Sequence, residues 1–141
     1  MGIYDPENTI PILAHIPAGP WREWIDDYPV GEGIERVPKY DLKGESLFAL
    51  YVDGDSMEPV LSDRDLLIMN PELAFYANHK DKIGVIKYNS SYKIRKIHLM
   101  PDGNNYFLEP LNKLYDSEIL PVTGTTIFKI IEIRKHLGDL F

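Results

Sequence analysis

Chemistry in this 141-residue chain would have to come from a few oxygen and nitrogen groups, since it contains no cysteine. The most suggestive is Ser56, inside Val52-Asp53-Gly54-Asp55-Ser56-Met57-Glu58-Pro59. Glycine permits a sharp backbone turn, so a hydroxyl one residue beyond Gly54-Asp55 can stand out at a tight corner. A serine after Gly-Asp is also an ordinary turn residue, and only a base within reach would make it a nucleophile. The cationic run Lys93, Arg95 and Lys96 is one source of partners. The histidines His15, His79, His98 and His136 are scattered, and nothing in their spacing selects one as a base.

The carboxylates around Ser56 admit a second chemistry. Asp53, Asp55, Glu58, Asp63 and Asp65 form an acidic cluster, but Met57 and Glu58 stand where a helix-flanked calcium loop needs Asp or Asn and then Gly. No metal site and no cofactor are expected.

The surrounding elements read as strands. Leu47–Val52 is an apolar, partly β-favouring run, and Asp65–Met69 returns from the serine turn as another. Ile10–Pro20 is apolar and punctuated by prolines, which fix φ and favour an extended chain. Residues 21–28 suit a turn of helix or an aromatic-rich loop, and Asn70-Pro71 offers a cap and first position for a short helix or turn. Ile83–Tyr88 and Tyr92–Leu99 form a hairpin about Asn89-Ser90-Ser91.

Gly54-Asp55-Ser56-Met57-Glu58-Pro59 followed by Asp65-Leu66-Leu67-Ile68 resembles the segment that holds the nucleophilic serine in LexA-like and phage-repressor regulatory domains. Signal peptidases are similar over the same stretch. The resemblance extends over roughly residues 10 to 137, and it implies a strand at 106–112, with the Leu-x-Pro-x-Asn ending at Leu108–Asn112, and an unbroken last strand at 126–136. It implies a mostly β fold of several coiled antiparallel sheets with little helix. It also implies a serine–lysine self-cleaving site: Ser56 as nucleophile, backbone N–H groups near Asp55 and Ser56 as oxyanion donors, and Ala18-Gly19 as the scissile bond. Small residues there let a carbonyl approach the serine closely.

The base is where this chain departs from the pattern. The family carries Val-Lys-(Arg/Lys)-Leu on the strand after the hairpin, and Ile94-Arg95-Lys96-Ile97 lies in its place. A guanidinium with a pKa above about 12 cannot take a proton from serine at physiological pH. Lys96 is adjacent but on the opposite strand face unless a bulge turns it inward; Lys93 shares the face of Arg95 about 7 Å away. Arg95 itself is expected to pair with a carboxylate near Ser56, or to lie with both lysines on a solvated face.

Composition sets the outer limits. With 44% hydrophobic residues the chain suits one domain, read as residues 10–141 after an N-terminal linker of residues 1–9. A net charge of −7 argues against nucleic-acid binding by this piece, so DNA contact is expected only through a separate N-terminal domain. No stretch is apolar enough to span a membrane, which disfavours a signal peptidase, and the lack of cysteine suits a reducing cytoplasm. Two functions follow. One is a self-associating, homodimeric regulatory domain of a phage-type or stress-type repressor, with an inducer protein as further partner and a weakened site. The other is an active peptidase cutting Ala18-Gly19. Arginine at position 95 favours the first.

Overall fold

The computed structural model describes residues 8–17, 22–23, 35–73, 82–89 and 91–136. The strands are β1 (Thr9–Pro17), β2 (Arg22–Glu23), β3 (Arg36–Pro38), β4 (Phe48–Asp53), β5 (Leu66–Met69) and β6 (Lys82–Tyr88). They continue with β7 (Ser91–Leu99), β8 (Asn105–Glu109), β9 (Glu118–Pro121), β10 (Thr125–Phe128) and β11 (Ile130–Arg134). No helix occurs among the described residues, and none is therefore long enough to cross a membrane.

The strands make two sheets. One runs β11-β5-β4-β1-β3; the other runs β10-β6-β7-β8-β9, with β2 paired to β7. Leu50, Val52, Met57, Leu61, Leu67, Met69, Val85 and Ile94 form a buried cluster with members from both sheets. Burial of such side chains supplies about 25 cal/mol per Å² of apolar surface, and here it fixes the serine turn against the second sheet. β5 is buried along its whole length, which explains its unbroken apolar run Leu66-Leu67-Ile68-Met69.

The expected mostly β fold with little helix is found among the described residues, and three details of it change. The sheets are not wholly antiparallel: β1 lies parallel to β4, with Ile16 opposite Val52 and Pro17 opposite Asp53. The long connection between them makes this possible, because parallel neighbours need a crossover rather than a hairpin. The expected final strand at 126–136 is two strands in different sheets, β10 pairing β6 and β11 pairing β5. A continuous apolar run gives no mark where a chain changes sheets. Residues 22–23 are a short strand, neither helix nor loop, while residues 70–73 form the turn that is one of the two expectations there, the Asn70 side chain accepting from Glu72 N–H at 3.0 Å.

Candidate functional site

Ser56 stands at the end of β4, where the sequence places a corner. Gly54 has φ of 111°, open to glycine and strained for other residues, and its N–H donates to Asp63 Oδ1 at 2.8 Å. Val52 N–H donates to Asp65 O at 2.8 Å and Arg64 N–H to Val52 O at 2.7 Å, closing the base of the loop. Inside it, Met57 O accepts from Val60 N–H and Leu61 N–H at 3.0 and 2.9 Å, while Met57 and Leu61 fill the core. Ser56 itself is fully buried.

Arg95 reaches this serine from the middle of β7. Its Nη1 donates to Ser56 Oγ at 2.9 Å and to Ile94 O at 2.7 Å, and the side chain is only 2% exposed. The residue opposite it on β6 is Gly84, which places no side chain on that face. Arg95 Nε is buried without an acceptor among the described residues. Burial lowers the arginine's pKa, while the charges of Glu118 and Tyr115 push it back up. The expected partnership of Arg95 with a carboxylate near Ser56 is thus replaced by one with the serine hydroxyl, and the expected solvated face is buried.

Neither lysine shares that position. Pairing of β6 with β7 runs without a shift from Lys82 opposite Ile97 to Tyr88 opposite Ser91, so no bulge turns Lys96 inward. Lys93 is buried, but its Nζ meets Glu118 Oε1 at 2.5 Å. Burial draws its pKa below the ordinary lysine range; the hydrogen bond to Glu118 opposes this, and the Arg95 charge reinforces it.

The acidic cluster disperses to separate tasks. Asp55 Oδ1 accepts from Tyr115 OH at 2.5 Å, which with some burial raises the tyrosine pKa, and Asp63 holds Gly54. Buried Asp65 accepts from Ser62 N–H at 2.8 Å, from His136 N–H at 3.0 Å and from Lys135 Nζ. Burial alone would raise its pKa, but these donors outweigh burial and hold it below the usual carboxylate value. Among the described residues no group of three or more His, Cys, Asp or Glu side chains is placed to hold a metal.

Three residues of the site were not singled out in the sequence. Asn112 N–H donates to Ser56 O at 2.8 Å and its Nδ2 to Asp55 O at 3.1 Å. Its only sequence signal was its place at the end of the Leu-x-Pro-x-Asn pattern. Tyr115 and Glu118 had none. The scissile pair Ala18-Gly19 lies outside the described residues.

Chemically, this arrangement can hold negative charge at Ser56 Oγ, because a guanidinium offers donors and no acceptor. It cannot remove the hydroxyl proton.

A family model described as Peptidase S24-like matches residues 11–131. Among curated proteins, the HTH-type transcriptional regulator for conjugative element R391 of Providencia rettgeri is 26% identical over 133 residues, covering 90% of this chain. Regulators of the same description for element SXT of Vibrio cholerae and element pMERPH of Shewanella putrefaciens match equally. This chain spans 60% of the length of these relatives.

Proposed function

Because the chain belongs to the Peptidase S24-like family, we propose that it is the regulatory domain of a transcriptional repressor whose peptidase site is held inactive by Arg95. The relatives are transcriptional regulators longer than this chain. In this reading DNA contact belongs to a separate N-terminal domain, since a chain of net charge −7 supplies little attraction for phosphates.

The observation that carries the reading is the 2.9 Å hydrogen bond from Arg95 Nη1 to Ser56 Oγ. Serine attack on a peptide carbonyl requires a neighbouring group to take the hydroxyl proton as the C–O bond forms. Arg95 occupies the position of that group and is itself a full donor, so the proton has nowhere to go through it. The backbone N–H groups near Asp55 and Ser56 remain the oxyanion donors of this reading.

Ala18-Gly19 is the bond an active member would cut. β1 ends at Pro17 opposite Asp53, and β2 begins at Arg22 opposite Tyr92. The strands on either side of residues 18–21 therefore pair one with the strand leading to Ser56 and the other with the strand carrying Arg95, which supports the assignment.

Self-association forms part of the same reading. β11 is the outer strand of its sheet, and Ile133 on it is 41% exposed. An edge strand presents backbone donors and acceptors that a second copy can pair with.

The competing reading is an active serine–lysine peptidase using Lys93, favoured by that residue's burial and lowered pKa. Its contact with Glu118 opposes it by favouring the charged form. Arg95→Lys separates the two readings: a gain of Ser56-dependent cleavage supports the block at Arg95. Cleavage by the unmodified chain overturns it.

A further inference from the structure

We infer that Asn112 is the positioning residue for Ser56, orienting the nucleophile by holding the two peptide units on either side of it. Its backbone N–H donates to the Ser56 carbonyl at 2.8 Å and its side-chain Nδ2 to the Asp55 carbonyl at 3.1 Å. Those carbonyls belong to consecutive peptide groups that meet at the Ser56 Cα. A peptide group is planar and trans, so fixing its carbonyl points its N–H to the opposite side. Asn112 therefore turns the N–H of Ser56 away from the loop that carries Asn112, and with both planes set, the direction of the Ser56 Cα–Cβ bond follows.

The loop between β8 and β9 is built to make this hold rigid. Asn112 Oδ1 accepts from Leu114 N–H at 3.0 Å and Asn112 O from Tyr115 N–H at 3.2 Å. Every polar atom of the Asn112 side chain is thus committed, one end to its own turn and the other to Asp55. Glu58 N–H adds a second donor to Asp55 O at 3.1 Å from within the serine turn. Tyr115 OH also reaches Asp55, but at the side-chain carboxylate, which leaves the peptide planes untouched. Ser56 Oγ thereby arrives at Arg95 Nη1 through constraints that come from a different sheet.

The inference rests on the proposed function only in taking Ser56 as the reacting group, so its test has one arm that needs no cleavage. In the unmodified protein the Arg95 guanidinium N–H, buried and bonded to Ser56 Oγ, gives an NMR signal whose position changes in Ser56→Ala. Asn112→Asp keeps the acceptor for Leu114 and the side-chain shape but places a carboxylate oxygen against the Asp55 carbonyl. The expected result is that the Arg95 signal moves towards its Ser56→Ala position, while amide signals in β5 and β6 stay in place. Asn112→Ser, which can keep the turn but not reach Asp55, is expected to do the same; Tyr115→Phe is expected to leave the signal unmoved. An Arg95 signal unchanged in both Asn112 variants, or displaced as far by Tyr115→Phe, overturns the inference.

The second arm adds Asn112→Asp to Arg95→Lys and expects a loss of cleavage rate on the order of a hundredfold, the scale of one lost oxyanion donor. An unchanged rate overturns the inference. If Arg95→Lys alone cleaves nothing, the role given to Arg95 fails, and Asn112 is still decided by the NMR signal.

Discussion

Arg95 donates from Nη1 to the hydroxyl of Ser56 at 2.9 Å, and both side chains are shut off from solvent. The contact joins the end of β4 to the centre of β7, so it ties the two sheets together. Its stability consequences are separable from its chemical ones.

Among the described residues, two buried cations, Arg95 and Lys93, feel the carboxylate of Glu118. Removing one partner of a buried ion pair strands the other charge and is costly, whereas a buried cation that donates to neutral oxygens, as Arg95 does to Ser56 Oγ and Ile94 O, carries a desolvation cost that an apolar side chain of similar size does not. Arg95→Met is therefore expected to leave thermal stability unchanged or raised. Glu118→Gln is expected to cost about 2 to 3 kcal/mol, less than for a fully buried pair, because Glu118 keeps part of its side chain in water. Parallel chemical denaturation of both variants checks the ordering; a reversed order would contradict this charge balance.

Asp65 predicts an acid limit. Its folded pKa is depressed, so its contribution is present above the unfolded value near about 4 and is lost as pH falls through the lower folded value. Asp65→Asn removes the charge that receives Ser62 N–H, His136 N–H and Lys135, and should cost about 2 kcal/mol at neutral pH. Denaturation midpoints of the two proteins should converge at low pH. A gap that persists unchanged below pH of about 2 would show that the charge of Asp65 is not the source.

Lys93 gives a slope of the same sign in a different pH range. Its folded pKa is lowered, so the unfolded chain binds more protons between the two values and stability rises with pH across that alkaline interval. Lys93→Met should flatten the rise, as measured by denaturation between neutral pH and about pH 10.

Much of this site was legible in the sequence, and the reasons for the remainder are physical. Gly54-Asp55-Ser56 fixed a corner because a positive φ there needs glycine, and position 95 could be judged because arginine cannot act as a base at neutral pH. The burial of Arg95 and Lys93 was not legible, since charged residues on a strand ordinarily mark a solvated face. Asn112 and Glu118 enter through pairings between distant segments, which periodicity does not reveal. The break between β10 and β11 was hidden for a related reason: both strands are apolar, and what changes at Lys129 is the sheet they join.

The exposed edge of β11 predicts the assembly. Sedimentation of the chain at high micromolar concentration is expected to show a dimer, and Ile133→Lys to dissociate it, since a charge on an edge strand discourages pairing. A strict monomer before substitution would remove β11 from the account.

The proposal that Arg95 leaves Ser56 without a base is checked by mass spectrometry of the purified, unmodified chain. Held from neutral pH to about pH 10, the chain should retain its first eighteen residues, because a guanidinium stays protonated throughout that range whereas a lysine base would be released. Cleavage between Ala18 and Gly19 that accelerates with pH and disappears in Ser56→Ala would contradict the claim and identify Lys93 or another group as the working base.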